Sequence, residues 1–132
     1  MGRRLILDTN MLIAYERGSF DRSTLRDDEL AVAAVSIAEF RTGIELADTP
    51  ERAARRARTL AAITSVIDVL DYTETTAAKH GRLLAYVRKP GTPRNAHDLI
   101  IAAHAAETGR LVLTRDAKAR FGDLPGVNAI NA

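Results

Sequence analysis

The chain has 132 residues, 46% of them hydrophobic and 27% charged, a balance that suits one folded domain (1–132) and excludes two comfortable ones. Aromatics are 5%, with no Trp and no Cys, so the core is built from Leu, Ile, Val and Ala, disulfide and thiol chemistry are excluded, and a reducing, cytoplasmic setting is expected. The formal net charge of +2 is only mildly basic, and the apolar run after Met1-Gly2-Arg3-Arg4 stops at Asp8, too soon for a secretory or membrane segment.

Leu5-Ile6-Leu7 reads as a buried parallel strand ending abruptly in Asp8-Thr9-Asn10, three good helix caps, with a short helix over 11–16. Gly18 to Asp28 is a polar loop with room for one helical turn. Leu30 to Val35 is a second apolar strand. Ser36 then opens a helix to about Leu46, with Glu39 three residues on as its capping-box partner. Thr49-Pro50-Glu51 starts another helix, through about Ile63, carrying Arg52, Arg55, Arg56 and Arg58 on its outer faces. Val66 to Leu70 suits a strand near an edge, and Thr73 to Lys89 a long amphipathic helix with Leu83, Leu84 and Val87 inward. Lys89-Pro90-Gly91-Thr92-Pro93-Arg94 breaks the chain. Asn95 caps the next and most apolar helix, which Gly109 stops. Its Leu99, Ile100, Ile101 and alanines exceed what one sheet face needs, which predicts a central position and a homodimer. Leu111 to Thr114 is a fourth strand, 116–121 a short helix or turn, and 127–130 a last strand. The alternation predicts an α/β fold, with a mostly parallel central sheet and helices on both faces.

In such a sheet ligands bind at the carboxyl edge. Asp8 and Asp116 directly follow two apolar runs expected to be neighbouring strands. Glu39 lies one turn into the helix after the second strand, and Asp98 in the first turn of the apolar helix. Each has a bland explanation: Asp8 and Asp116 as caps, Glu39 in a capping box, Asp98 at a helix N-terminus. Together they bring four carboxylates to one edge, where they repel one another unless a cation offsets them. An all-oxygen set suits Mg²⁺ or Mn²⁺ rather than Zn²⁺, and the lack of Cys and of a tight His pair argues against a zinc site. His97 and His104 lie seven apart on one helix and read, with His80, as surface or packing residues, His97 being notable for adjoining Asp98. No Walker loop, dinucleotide fingerprint or Gly-x-Ser-x-Gly elbow is present.

The segments Leu7-Asp8-Thr9-Asn10-Met11-Leu12-Ile13-Ala14, Val35-Ser36-Ile37-Ala38-Glu39-Phe40-Arg41-Thr42-Gly43, Asn95 to His104 and Leu113-Thr114-Arg115-Asp116 resemble the successive motifs of PIN domains, in order and over nearly the whole chain. More narrowly, the chain resembles the VapC toxins of toxin–antitoxin pairs. The resemblance implies a PIN-like three-layer fold with the second and third helices as a hairpin. It also implies a Mg²⁺- or Mn²⁺-dependent endoribonuclease, a homodimer and a small cognate antitoxin. Position by position, Asp8, Glu39, Asp98 and Asp116 match the acidic quartet. Thr114 matches the hydroxyl residue before the last acid, implied to orient Asp116 or water, and Asn10 a polar residue beside the first. Arg41, Arg94, Arg115, Lys118 and Arg120 lie close in sequence to the acids as candidates for flanking phosphates. Two rivals remain: a PIN-like module that only binds RNA or a partner, and a phosphoacceptor receiver domain. For a receiver, Asp71 would imitate the acceptor, but no Lys follows the last strand.

Overall fold

The computed structural model describes residues 2–91 and 94–132, so the Thr92-Pro93 part of the breaker lies outside the described residues. Strand β1 (Arg4–Leu7) is central, flanked by β2 (Glu29–Ala33) and β4 (Leu111–Thr114), with β3 (Asp68–Leu70) and β5 (Ala129–Asn131) at the edges. The order is β3-β2-β1-β4-β5 and every pairing is parallel. Leu7 stands beside Val32 on one side and Leu113 on the other.

Side chains alternate across the pleat, so each central strand feeds two cores. Ile6, Ala33 and Val112 pack with α4 (Glu74–Arg88) and α5 (Ala96–Thr108) through Leu83, Val87, Leu99, Ile101 and Ala105. Leu5, Leu7, Val32 and Leu113 face the opposite way. There they meet Met11 and Leu12 of α1 (Thr9–Glu16), Phe40 of α2 (Ala34–Glu45), and Leu60 and Ile63 of α3 (Pro50–Val66). Burial on both faces explains why these strands read as unbroken apolar runs. The hairpin of α2 and α3, joined through 46–49, is present. Among the described residues no helix is long and apolar enough to cross a membrane.

Most boundaries follow the local chemistry. Thr49 caps α3, with its side chain accepting from the Arg52 N–H, and Pro50 opens that helix. Thr73 and Thr76 form a capping box on α4. Asn95 accepts from the N–H groups of His97 and Asp98, and Gly109, at φ 71°, closes α5 in the left-handed conformation that glycine tolerates.

Three expectations are corrected. The second strand ends at Ala33 and α2 begins at Ala34 with no side-chain cap, so Ser36 and Glu39 make no capping box. Ser36 is instead fully buried inside the first turn. Helix α3 runs on to Val66, which is 70% exposed, and β3 starts only at Asp68. The apolar excess of α5 is covered by α4 of the same chain, with which it shares its most extensive helix contact, so that excess is no argument for a second subunit.

Candidate active site

The strand order reverses between β1 and β4, and the crevice beyond their carboxyl ends is where the acids gather. Asp8 follows β1 and is 3% exposed. One carboxylate oxygen accepts from the Met11 N–H at 3.0 Å, capping α1. The other accepts from the hydroxyl of Thr114, the last residue of β4. The Thr114 oxygen in turn accepts from the Asp116 N–H at 2.9 Å. Thr114 is therefore a bridge: it positions the Asp8 carboxylate directly and Asp116 only through its backbone. The Asp116 side chain caps the next 3-10 turn by accepting from the Lys118 N–H at 3.0 Å.

Asp98 sits half-buried in the first turn of α5. Burial first, then the charges of Asp116, Asp8 and Glu39, push its carboxyl up to about 6, against a smaller downward pull from His97. Burial also raises Asp8, opposed by its hydrogen bonds from Thr114 and Met11 and reinforced by Asp116. These mutual effects place all four expected acids in one basin. Among the described residues no Lys or Arg is within ion-pair distance of any of them; the nearest basic side chain is His97, charged only when protonated, whose Nδ1 is 3.3 Å from Glu39 Oε1. Nor, among the described residues, do three of them already converge on a common point. The basin is a set of hard oxygen donors with uncompensated negative charge, a chemistry that fits a divalent cation such as Mg²⁺ or Mn²⁺.

Two residues do something other than sequence reasoning suggests. Thr9 was notable only as a possible cap, yet its hydroxyl lies 2.9 Å from Glu39 Oε1 and 3.1 Å from the buried Ser36 hydroxyl. Arg94 does not point to a phosphate: its guanidinium donates to the carbonyls of Ala119 and Arg120, the latter at 3.1 Å. It ties the entry of α5, which carries Asp98, to the loop that carries Asp116. Arg120 itself is the non-glycine residue with positive φ, at 44°, local strain on the loop beside the acids. Of the histidines expected at the surface or in packing, His104 is the packing one, 1% exposed against Tyr72, whereas His97 is half in solvent.

Next to the acids, a groove of about 650 Å³ runs between α1 and the 117–119 turn, lined by Asn10, Arg17, Ser19, Arg115, Asp116 and Lys118. Arg115 is anchored there by donating to the Ser19 carbonyl at 2.8 Å, with its guanidinium over the Phe20 ring. Cations therefore adjoin the acidic basin without neutralising it.

The comparisons agree with this geometry. The model of the PIN domain matches residues 5–125. Ribonuclease VapC5 of Mycobacterium tuberculosis is 32% identical over 111 residues, spanning 84% of this chain and 82% of its own. The tRNA(fMet)-specific endonuclease VapC of Salmonella typhimurium is 27% identical over 128 residues, 94% of each chain. Among solved structures, a member of the VapBC family of toxin–antitoxin systems, VapBC-5 from Mycobacterium tuberculosis, superposes with a TM-score of 0.79 at 28% identity and covers 98% of both chains. An intact set of acids at the strand switch, on this fold and with these relatives, leads to one conclusion: the chain belongs to the PIN-domain family, in its branch of VapC-type ribonucleases.

Proposed function

We propose that this chain is an endoribonuclease toxin that hydrolyses phosphodiester bonds of RNA and so inhibits translation, using Mg²⁺ or Mn²⁺ held by Asp8, Glu39, Asp98 and Asp116. The observation that carries the reading is the half-buried Asp98, raised to about 6 by burial and three other acids, with no Lys or Arg among the described residues paired to any of them. When bound, the cation supplies Lewis acidity toward the phosphate and activates a water at neutral pH. The chain's own residues do the rest. Thr114 locks the Asp8 carboxylate, and Arg94 keeps the carriers of Asp98 and Asp116 together. Asp8 and Asp98 would hold the cation directly and Glu39 and Asp116 directly or through water, and either Glu39 or Asp116 would accept a proton from the attacking water. Arg17, Arg115 and Lys118 hold the phosphates on one side of the cut.

A receiver domain is disfavoured because Asp71 follows the edge strand β3 and its charge acts on His104, away from the other acids. A module that only binds RNA is disfavoured because no acid of the quartet is missing. The expected result is cleavage of total RNA or isolated tRNA in Mg²⁺ or Mn²⁺, complete arrest by a chelator, and loss of cleavage by at least about 10³-fold in Asp8→Asn. Cleavage that persists in excess chelator would overturn the metal mechanism.

As in the relatives solved as VapBC complexes, the chain is proposed to bind a small cognate antitoxin whose basic tail covers the acidic basin, in the cytoplasm. A homodimer is proposed as well. Its support is the apolar surface the fold leaves in solvent, Leu46 at 78% and Val66 at 70% exposed, with Val69 on the edge strand β3. Light scattering at tens of micromolar, demanding against ordinary specific affinities, is expected to give twice the 14.4 kDa of one chain; a mass of one chain would refute it.

A further inference from the structure

Glu39 has the least secure position of the four acids. It projects from α2, is about one-third exposed, and its charge acts on the half-buried Asp98. Something must hold it in the basin. Its Oε1 has two neighbours: the Thr9 hydroxyl at 2.9 Å and His97 Nδ1 at 3.3 Å. Its Oε2 has no hydrogen-bond partner among the described residues.

A threonine hydroxyl has one proton. Two oxygens lie within reach of Thr9, Glu39 Oε1 at 2.9 Å and Ser36 Oγ at 3.1 Å. The carboxylate is the stronger acceptor and cannot donate, so the Thr9 proton goes to Glu39. The Ser36 side chain is 0% exposed, and among the described residues its Oγ meets no polar partner except Thr9. Ser36 Oγ is thus the second acceptor within reach of the Thr9 proton, a buried oxygen beside the bond to Glu39 rather than a donor to it.

We propose that Thr9 is a positioning residue that ties Glu39 Oε1 and leaves Oε2 free as the ligand oxygen for the divalent cation. The assignment rests on the metal-dependent ribonuclease reading above. It links two segments distant in sequence: Thr9 follows Asp8 directly, so the residue that orders Glu39 is fixed to the same helix start that orders Asp8. The alternative, that Thr9 merely fills space, makes no distinction between a hydroxyl and a methyl.

The test compares Thr9→Val, which keeps the shape and removes the donor, with Thr9→Ser, which keeps the donor, beside Ser36→Ala and Glu39→Gln. Two readouts are used: melting temperature against Mg²⁺ concentration, which needs no RNA, and steady-state RNA cleavage. Thr9→Val is expected to need about tenfold more Mg²⁺ for the same melting shift, because that shift follows the ratio of metal to its dissociation constant. Its kcat is expected to fall on the order of 10²-fold with KM within about twofold, the signature of a misplaced group. Thr9→Ser should restore both readouts, and Ser36→Ala should lose less than Thr9→Val because the bond to Glu39 survives. Adding Thr9→Val to Glu39→Gln should change the Mg²⁺ response no further, since Thr9 acts through Glu39. Wild-type Mg²⁺ response in Thr9→Val, equal loss in Thr9→Val and Thr9→Ser, or an additive loss in the double variant would each overturn the proposal. Absence of cleavage by the wild type would defeat the ribonuclease reading separately, with the melting experiment still deciding on Thr9.

Discussion

Asp98→Asn is expected to abolish RNA cleavage and, in metal-free protein, to raise the melting temperature. The two effects have one cause. Asp98 is pushed up to about 6 by burial and by Asp116, Asp8 and Glu39, so at neutral pH the ionised group is held against its preference. Its folded value lies above the unfolded value of 3.8. The group therefore contributes stability below the unfolded value and loses it as pH rises through about 6. At pH 7.5 the metal-free wild type has lost that contribution, and Asn restores it by removing the charge while keeping the shape. Asp98 is half-exposed, so solvent screening reduces the gain to about 1 kcal/mol, or roughly 3–5 °C for a domain of this size. Mg²⁺ should stabilise the variant far less than the wild type, because a ligand charge is gone. The measurement is a pair of melting curves, chelator and Mg²⁺, at pH 5 and pH 7.5, beside a cleavage assay. The advantage of Asp98→Asn should shrink at pH 5. A variant that melts below the wild type in chelator at pH 7.5, or still cleaves RNA, would show that the acids do not strain one another.

Much of this site was legible because the same residues serve as local punctuation. Asp8, Asp116 and Asn95 are caps that the chain needs where a strand hands over to a helix or turn, and those handovers line the carboxyl edge. The bland reading of Asp8 is true: it caps α1 with one oxygen and receives Thr114 with the other. The two roles coexist because a carboxylate has two oxygens. Glu39 differs. The Ser-x-x-Glu spacing matches a capping box, yet the helix starts two residues earlier, and a cap signal does not say whether its hydroxyl faces the backbone or a distant side chain. What decided it was tertiary: Thr9, 27 residues away in sequence, lies beside Ser36. Arg94 fails for the same reason. Nearness in sequence to Asp98 suggested a phosphate contact, but its partners are carbonyls 25 and 26 residues on. The apolar α5 was rightly read as central. The inference to a dimer from it fails because a one-dimensional pattern cannot tell which neighbour, α4 or another subunit, covers a face.

The second large effect lies outside the acidic basin, at the buried His104. This ring is 1% exposed; its Nδ1 has no hydrogen-bond partner among the described residues and stands 3.8 Å from Glu107 Oε2. Glu107 is instead occupied by the Thr76 hydroxyl, which donates to it at 2.7 Å. Burial lowers the pKa of His104 from its ordinary 6.5, with Glu107 and Asp71 acting upward and His80 downward. The folded value is below the unfolded one, so between them the unfolded chain binds more protons and stability rises with pH. The contribution is complete above 6.5 and is lost as pH falls from there through the folded value. Other groups overlap this window: His80 is lowered too and has the same sign, whereas Asp98 and Asp8 are raised and have the opposite one. The contribution of His104 is therefore read as a difference. In His104→Leu an apolar side chain replaces a ring whose Nδ1 satisfies no partner, and nothing titrates there. From pH 7.5 down to pH 5, the variant's melting temperature minus that of the wild type is expected to grow steadily, since the wild type alone loses the contribution of a lowered His104 over that range. Cleavage at pH 7.5 should be unchanged, because the residue faces α4 and not the acids. A difference that stays constant across that range would mean that His104 takes up its proton in the folded protein as readily as in the unfolded chain, through Glu107 drawing in to meet it.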